Sequence, residues 1–338
     1  MKILYAVQST GNGHISRAQQ LIPYFTKRVE MDVVLSGPKN NFDIGYPVFD
    51  HYQGLTFRYT KDGGINWLKT LLMNNFFTFV REVFNAPVKN YDLIINDFDP
   101  VTAWSCLIYN KKCIALSNQF SLLSKKVPKP NKSTHQYIKL MKILIPVKNG
   151  YGFHFKKFEK NVFHPIIREK VKYLNKRKGK SYVVYLSSYS VEKICKVLAY
   201  FPDKKFHVFS NQIESKQKLD HIIIHPIDEN NFLKKMANCR GVITAAGFTT
   251  PAEAIYLKKP LLVIPMKSQV EQQCNAFLLK KLGVTVLDKF NEKKLEKIKK
   301  WINNPKLVEI EFSDDGQSLV DQILMDYINS SFVPQDTV

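Results

Sequence analysis

Residues 241–265 read GVITAAGFTTPAEAIYLKKPLLVIP, and this stretch decides the fold. Two short apolar runs, at 241–247 and 260–266, flank a segment with the residues that start a helix. Buried parallel strands carry such continuous apolar runs, and a helical crossover joins one strand to the next. The stretch therefore predicts a strand, a helix and a second strand of one parallel sheet.

The same kind of run recurs through the chain, mostly followed by turn or cap residues. These further runs lie at 2–8, 31–37, 92–98, 113–118, 181–188, 205–211, 221–227 and 284–287. Residues 168–181 are polar and basic, without an apolar period, and separate two groups of runs. We predict an α/β protein with two Rossmann-like, doubly wound domains, 1–165 and 180–314, facing each other across a cleft.

Composition narrows the class of protein further. The chain has 338 residues, of which 45% are hydrophobic and 23% charged, as in ordinary globular proteins. Its five cysteines are scattered without a C-x-x-C pair, so we expect a reducing compartment and neither a disulfide framework nor a zinc knuckle. No run reaches the ~20 apolar residues of a spanning helix, and no signal peptide is recognisable. These features predict a cytoplasmic protein.

A glycine turn follows the first predicted strand. Gly11, Asn12, Gly13 and His14 precede a helical pattern that begins at Ile15. Glycines let a backbone approach a ligand closely, and a helix N-terminus favours negative charge. The turn has neither the dinucleotide fingerprint nor the P-loop pattern. Two interpretations of the histidine stay open: it accepts a proton from a hydroxyl, or it only packs within the loop.

Two aspartates end the run at 92–98. Asp97 and Asp99 have the D-x-D spacing that suits a divalent cation with a phosphate. An aspartate before Pro100 also starts a turn well, and no further carboxylates cluster with this pair. We therefore expect no metal ion here. The favoured hypothesis is that one aspartate orients His14 or an acceptor hydroxyl.

The loop after 241–246 carries the strongest functional signal. Thr250, Pro251 and Glu253 suit the N-cap, the first and the third positions of a helix, which predicts a capping box. The helix N-terminus behind Gly247 is also a site for a pyrophosphate, and the glutamate can accept hydrogen bonds from ribose hydroxyls. The amides and carboxylate of 269–275 suit a ligand with several hydroxyls.

Three runs carry a family resemblance: G-F-T-T-P-A-E-A, K-P-L-L-V-I-P and Q-x-E-Q-x-x-N-A. They resemble the donor-binding half of nucleotide-sugar-dependent glycosyltransferases of the GT-B fold, family 28 and a related group of archaeal and bacterial transferases in particular. The pattern G-x-G-H-x-x-R, with Gly11, Gly13, His14 and Arg17, is similar to the same group. It is also similar to the UDP-sugar hydrolase of pseudaminic acid synthesis. Asn12 separates glycines that are consecutive in the peptidoglycan enzyme of family 28.

The resemblance implies a donor site in the second domain. Its residues would be Ser187, Ser188, Ile227, Gly247, Phe248, Thr249, Thr250, Glu253, Gln269, Glu271 and Gln272. The serines and the loop after 241–246 would face the diphosphate, and Glu253 would take the ribose hydroxyls. Ile227 would lie against the base, uracil in this reading, and Glu271 and Gln272 would hold the donor sugar. The helical spacing of 318–328, within 315–338, implies a helix that crosses back to the first domain.

The implied reaction is inverting glycosyl transfer in glycan biosynthesis, with a UDP-sugar as co-substrate and neither metal nor cofactor. His14 would be the base, with Asp97 or Asp99 behind it, and the acceptor would carry a hydroxyl or a phosphate. Three alternatives stay open: a nucleotide-sugar hydrolase or epimerase, a nucleic-acid-binding protein, and a non-catalytic sensor. Only the charge suggests nucleic acid, because no recognition motif accompanies it.

The net charge of +21 is concentrated in one region. Residues 111–180 hold 19 Lys and Arg and two acids, a net charge of +17. Residues 65–84 place apolar side chains at helical spacing among basic ones, which favours a helix packed on the sheet and leaves membrane contact as the alternative. A solvated basic face explains the charge most simply. A lipid-linked acceptor at the inner face of the cell membrane explains it more specifically.

Overall fold

The computed structural model describes residues 1–10, 12–38, 43–55, 74–130, 132–267, 269–313, 315–330 and 332. Within these, the chain divides into two compact units. The N-unit contains the described residues of 1–55, 74–166 and 313–332, and the C-unit contains 167–312. The segment 315–332 thus joins the first unit although the second precedes it in sequence.

The described part of the N-unit is built on a seven-stranded sheet. Its strands are β1 (Lys2–Gln8), β2 (Glu30–Ser36), β3 (Val48–Tyr52), β4 (Leu93–Asp97), β5 (Cys113–Ser117), β6 (Asn149–Phe153) and β7 (Val162–Phe163). Its helices are α1 (Asn12–Thr26), α2 (Phe76–Asn85), α3 (Pro100–Ile108), α4 (Asn118–Ser121), α5 (Lys132–Leu144) and α12 (Gly316–Ile328). The strand order is β3-β2-β1-β4-β5-β6-β7, with all pairs parallel.

The described part of the C-unit has a second seven-stranded sheet. Its strands are β8 (Ser181–Tyr185), β9 (Lys205–Ser210), β10 (Gln217–Leu219), β11 (Ile222–Pro226), β12 (Gly241–Ala245), β13 (Leu261–Ile264) and β14 (Thr285–Val286). Its helices are α6 (Glu169–Lys172), α7 (Val191–Leu198), α8 (Glu229–Ala237), α9 (Thr249–Tyr256), α10 (Val270–Lys281) and α11 (Leu295–Asn303). The order is β10-β11-β9-β8-β12-β13-β14, in which only β10 runs antiparallel to its neighbour.

The central strands are buried on both faces, as their apolar runs predict. Every residue of β4 and of β13 is buried, and β1 is buried from Ile3 onward. Helices cover these faces with amphipathic surfaces: Ile194 of α7 and Trp301 of α11 belong to one cluster with Ile243 of β12. The predicted α/β class with two parallel-dominated sheets is confirmed, and each predicted strand lies within a few residues of an observed one.

Helix α12 packs against α1 within the N-unit. The ring of Tyr24 packs directly against the first residue of α12, Gly316. A Cβ at this position would lie 2.5 Å from the Cε2 atom of the tyrosine, so a larger residue would clash with the ring. Arg28, just beyond α1, pairs with Asp321 at 2.8 Å. The helix that carries the first glycine turn is therefore supported by residues from the far end of the chain.

Two glycines of β6 allow the sheet and α4 to pack closely. A Cβ on Gly150 would lie 2.2 Å from the carbonyl oxygen of Ala115, and one on Gly152 would lie 2.6 Å from the backbone of Ser121. Both contacts are with backbone, which cannot rotate away as a flexible side chain can. The residues of β6 were not predicted as a strand, because glycines contribute nothing to an apolar run.

We expect Gly152→Ala to lower the free energy of unfolding by about 1–3 kcal/mol, since overpacking moves backbone in a filled core. Gly247→Ala serves as the matched control, because a Cβ at Gly247 would meet nothing within 4 Å. Thermal and denaturant unfolding of both variants measure the difference. Equal stability of the two variants would contradict the packing described for β6.

Candidate functional site

His14 and Asp97 meet at the carboxyl edge of the N-unit sheet. His14 lies in the first turn of α1, and Asp97 ends β4, which pairs directly with β1. The His14 Nδ1 atom lies 2.6 Å from Asp97 Oδ1. Both residues are buried, the aspartate completely. Because parallel strands end at the same edge, two residues distant in sequence become one hydrogen-bonded pair.

Arg17 completes this cluster from the next turn of α1. Its Nε donates to Asp97 Oδ2 at 2.9 Å, and its Nη2 donates to Asp97 Oδ1 at 2.5 Å. Its Nη1 donates to Asn118 Oδ1 at 2.8 Å. Burial disfavours the charge of Asp97, but the charge of Arg17 and the hydrogen bonds from His14 and Arg17 outweigh it and hold the pKa of this carboxyl below its ordinary value. Asp97 is therefore a carboxylate, with hydrogen bonds to both of its oxygens.

The partners of His14 decide its tautomer. Nδ1 lies 2.6 Å from Asp97 Oδ1 and 3.0 Å from Arg17 Nη2. An ionised carboxylate only accepts hydrogen bonds and is the nearer of the two, so we assign the proton to Nδ1 and a lone pair to Nε2. The Gln119 Nε2 atom lies 3.4 Å from this Nε2. The ring of Phe98 stacks on the imidazole at 6.1 Å between centroids. The histidine is thus oriented to accept a proton at Nε2, as in other base–carboxylate pairs.

Asp99 has a different role from Asp97. Its carboxylate caps α3, accepting from the backbone nitrogens of Val101 at 3.1 Å and Thr102 at 2.8 Å, and from the Thr102 hydroxyl at 2.6 Å. The Asn96 side chain closes the turn by donating to the Asp99 carbonyl at 2.6 Å. Phe98 between them has a φ of +62°, in the left-handed region. Of the two aspartates offered by the sequence, the structure places Asp97 behind His14.

The glycine turn is described only in part. Gly11 and the side chain of Asn12 lie outside the described residues, whereas Gly13 stands in the first turn of α1. Among the described residues, no group of three or more His, Cys, Asp or Glu side chains could hold a metal ion.

In the C-unit, α9 begins without a side-chain cap. Its N-cap is Phe248, which has no capping hydrogen bond, and the helix itself starts at Thr249. The predicted capping box of Thr250 and Glu253 is therefore wrong. The space in front of this helix start is open at Gly247, where a Cβ would touch nothing within 4 Å. Uncapped backbone N–H groups facing open space are suited to an anion.

Glu253 is held by Arg168 instead of by the helix start. Arg168 Nε donates to Glu253 Oε1 at 2.5 Å, and Nη2 donates to Oε2 at 2.7 Å. The remaining nitrogen of Arg168 donates to Glu229, which Lys170 also contacts. Glu253 is 1% exposed. Burial is the largest influence on this carboxyl and raises its pKa, which the hydrogen bonds and charge of Arg168 offset only in part.

The other residues of the predicted donor site lie at neighbouring strand ends of the C-unit. Ile227 follows β11 and is half exposed, next to the buried His225, whose Nε2 lies 2.9 Å from Nδ1 of His207. Ser187 and Ser188 follow β8 and line a cavity. At the start of α10, Gln272 Oε1 accepts from the backbone nitrogen of Met266 at 3.0 Å, so this side chain shapes its own loop. Gln269 is the N-cap of α10, and Glu271 stands in its first turn.

Sequence reasoning missed three residues of these clusters. Asn118 and Gln119 begin α4 at the end of β5, and Arg168 lies in the basic stretch between the two groups of runs. Asn118 and Gln119 follow the carboxyl end of a predicted strand, and this position could have identified them as candidate site residues. No sequence pattern distinguishes Arg168 from the other basic residues around it.

Known structures match nearly the whole chain. The glycosyltransferase SnogD from Streptomyces nogalater has 12% identity and a TM-score of 0.55, covering 96% of this chain and 99% of its own. CalG4, the calicheamicin glycosyltransferase, has 14% identity and a TM-score of 0.56, covering 98% and 95%. UGT2 from Phytolacca americana, complexed with UDP-2-fluoroglucose and pterostilbene, has 12% identity and a TM-score of 0.54, covering 98% and 94%. The fold is that of GT-B glycosyltransferases.

The family follows from the sequence itself. Residues 1–305 match the family model described as glycosyl transferase family 1, so the chain belongs to this family and is a glycosyltransferase. No curated protein matches the chain. The motifs suggested family 28 within the same class, and the class is confirmed. Among the described residues, no helix is both long and apolar enough to cross a membrane.

We expect Arg168→Gln to lower the free energy of unfolding by about 3–5 kcal/mol, because it leaves the Glu253 charge buried without its cation. The double variant Arg168→Gln/Glu253→Gln recovers most of this loss. A carboxyl whose folded pKa lies above its unfolded value loses stability as pH rises through the folded pKa. The single variant is therefore closer to wild type at about pH 5 than at about pH 8. Urea unfolding at both pH values measures this, and a pH-independent deficit would contradict it.

Proposed function

We propose that this glycosyltransferase moves a sugar from a UDP-sugar to a hydroxyl or phosphate of its acceptor, with inversion and without a metal ion. The observation that carries the proposal is the buried pair of His14 and Asp97, with Nε2 of the histidine left to accept a proton. A transferase needs such a base where the acceptor is activated, because a neutral hydroxyl is a weak nucleophile.

In this proposal His14 removes the acceptor proton as the acceptor oxygen attacks the anomeric carbon. The new bond forms on the face opposite the departing diphosphate, which gives inversion. Asp97 stabilises the imidazolium that develops, and Arg17 keeps Asp97 ionised, since its guanidinium contacts both carboxylate oxygens. The Gln119 amide, 3.4 Å from Nε2, lies where it can orient the acceptor hydroxyl.

The donor is proposed to lie at the uncapped start of α9. Backbone N–H groups at Thr249 and Thr250 would stabilise the negative charge of the leaving diphosphate, a role that needs no metal. Glu253, fixed by Arg168, would face the ribose, and Ile227 the base. The choice of UDP draws support from the Phytolacca americana structure, which holds a UDP-sugar analogue.

The central test is His14→Ala. We expect turnover to fall by about 10²–10⁴-fold, since a positioned general base contributes that much. Affinity for the UDP-sugar, measured by calorimetry, stays within about twofold because the variant changes only the N-unit, while the proposed donor residues belong to the C-unit. His135→Ala, an exposed residue of α5, is the control and keeps full turnover. Normal turnover in His14→Ala would exclude this residue as the base.

We also propose that the N-unit contacts an anionic membrane surface, at the cytoplasmic side, where a lipid-linked acceptor would reside. Of residues 65–84, 65–73 lie outside the described residues, and α2 begins at Phe76. Phe77 is 88% exposed and Phe84 53% exposed. They are seven residues apart and so share one helical face, while the opposite face is buried in the core through Phe79 and Val83.

Basic groups adjoin this aromatic face, which is the reason to choose a membrane as its partner. The Tyr109 hydroxyl donates to the Phe84 carbonyl at 3.0 Å, and the Lys89 ammonium lies 3.7 Å from the centre of the Tyr109 ring. Lys111 in turn donates to the Lys89 carbonyl at 3.1 Å. Exposed aromatic side chains bordered by lysines match an interface of acyl chains and anionic headgroups.

Vesicle co-sedimentation tests the membrane contact. We expect the protein to bind phosphatidylglycerol vesicles, and Phe77→Ser/Phe84→Ser to lose at least about fivefold in binding, because the apolar contribution scales with buried area. Phe49→Ser, another exposed phenylalanine of the N-unit, is the matched control and binds as the wild type does. Absence of wild-type binding to anionic vesicles would remove the membrane from the proposal.

A further inference from the structure

A cavity of about 1180 Å³ lies within the C-unit, at the carboxyl edge of its sheet. Its walls are the loops after β8, β9, β13 and β14, together with one side of α7. Part of the wall is apolar and fixed: Phe290 is 2% exposed, and its backbone nitrogen donates to the Tyr189 hydroxyl at 3.0 Å. The specificity of the cavity therefore depends on the polar groups around this apolar part.

The charged side chains that line the cavity include more cations than anions. Those that line it are Lys193, Lys196, Lys267, Asp288, Lys289 and Glu292. Glu292 pairs with Lys196 at 2.9 Å, and Asp288 pairs at 2.7 Å with Lys294, which is not a lining residue, so both acids already have a cationic partner. Within the described part of the chain, the other three lysines have no ion-pair partner. The cavity thus presents three ammonium groups and no unpaired carboxylate.

This lining selects the chemistry of a ligand. Ammonium groups donate hydrogen bonds and accept none, and both carboxylates of the lining are already paired, so its other side-chain acceptors are neutral serine, tyrosine, glutamine and asparagine oxygens. A neutral sugar offers hydroxyls that need acceptors as well as donors. A carboxylate or phosphate offers acceptors alone, and its hydrogen bonds to ammonium groups are charge-assisted and strong. The cavity is therefore suited to an anionic group.

The position of the cavity indicates which part of a ligand carries that group. Ser187 and Ser188 are shared with the proposed diphosphate side of the donor. Met266 and Lys267 also line the cavity, and the backbone of Met266 is tied to Gln272, one of the proposed sugar contacts. A donor that spans these loops brings its sugar, rather than its base, to the cavity.

We propose that the transferred sugar is acidic, carrying a carboxylate or a phosphate that Lys193, Lys267 and Lys289 bind. This inference rests on the proposed nucleotide-sugar donor and adds the substrate class. The lysines act by binding alone, so no bond is formed or broken in this step.

Calorimetry with matched donors tests it: UDP-glucose against UDP-glucuronic acid, and GDP-mannose against GDP-mannuronic acid. For a pair whose nucleotide binds, we expect the acidic member to bind about tenfold more tightly, through charge-assisted hydrogen bonds. Replacing the three lysines by glutamine should reduce the preference to within about twofold and leave the affinity for the nucleoside diphosphate unchanged. A variant with glutamine at Lys218, Lys280 and Lys306, also exposed in the C-unit, has the same charge change and keeps the preference.

The outcomes separate the two proposals. Equal affinity for the two members of a pair that binds would overturn the acidic sugar and leave the proposed donor class standing. A preference that survives in the cavity variant, or loss of nucleoside diphosphate affinity in it, would overturn the assignment to these lysines. If no nucleotide or nucleotide-sugar binds at all, the proposed donor fails, and the acidic sugar fails with it.

Discussion

The burial of two parallel sheets is the constraint from which the other features follow. A parallel strand has its backbone bonds satisfied within the sheet and both faces covered by helices, so it can offer chemistry only at its end. In the N-unit that edge gathers Asp97 from β4 and His14 from the helix after β1. In the C-unit the loops that follow β8, β13 and β14 line the cavity. The candidate sites lie at these edges because the central strands of each sheet are covered on both faces.

Each unit also has a buried carboxylate that an arginine holds. Asp97 and Glu253 are both almost inaccessible, and each accepts two hydrogen bonds from a guanidinium. The balance differs between them. Burial raises the pKa of Asp97, but Arg17 and a second hydrogen-bond partner, His14, outweigh this effect, and its pKa lies below the ordinary value. Burial, with a smaller contribution from the neighbouring Glu229, raises the pKa of Glu253, and Arg168 offsets this only in part. The same pairing with arginine therefore leaves Asp97 harder to protonate than an ordinary carboxylate and Glu253 easier to protonate.

Much of this fold could be predicted from the sequence, because short apolar runs predict ten of the described strands. Four of the described strands escaped prediction because they lack that signal: β6 depends on two glycines, β7 has only two residues, and β3 and β10 are largely exposed. The site was predictable to the level of candidates. The sequence placed His14, Asp97 and Asp99 at one edge, but only side-chain geometry separates the partner of the histidine from the cap of α3. Arg168 was not predictable, since its contact with Glu253 joins positions far apart in sequence.

The position of α12 has a consequence for the order in which the protein is made. Helix α1 carries His14 and Arg17, and α12 covers it with residues that follow the entire C-unit. During synthesis, the C-unit can close its core from a continuous segment, whereas the N-unit waits for its final helix. His14 and Arg17 are therefore held by the completed N-unit only after the C-unit has been synthesised, and a chain interrupted before residue 316 lacks α12.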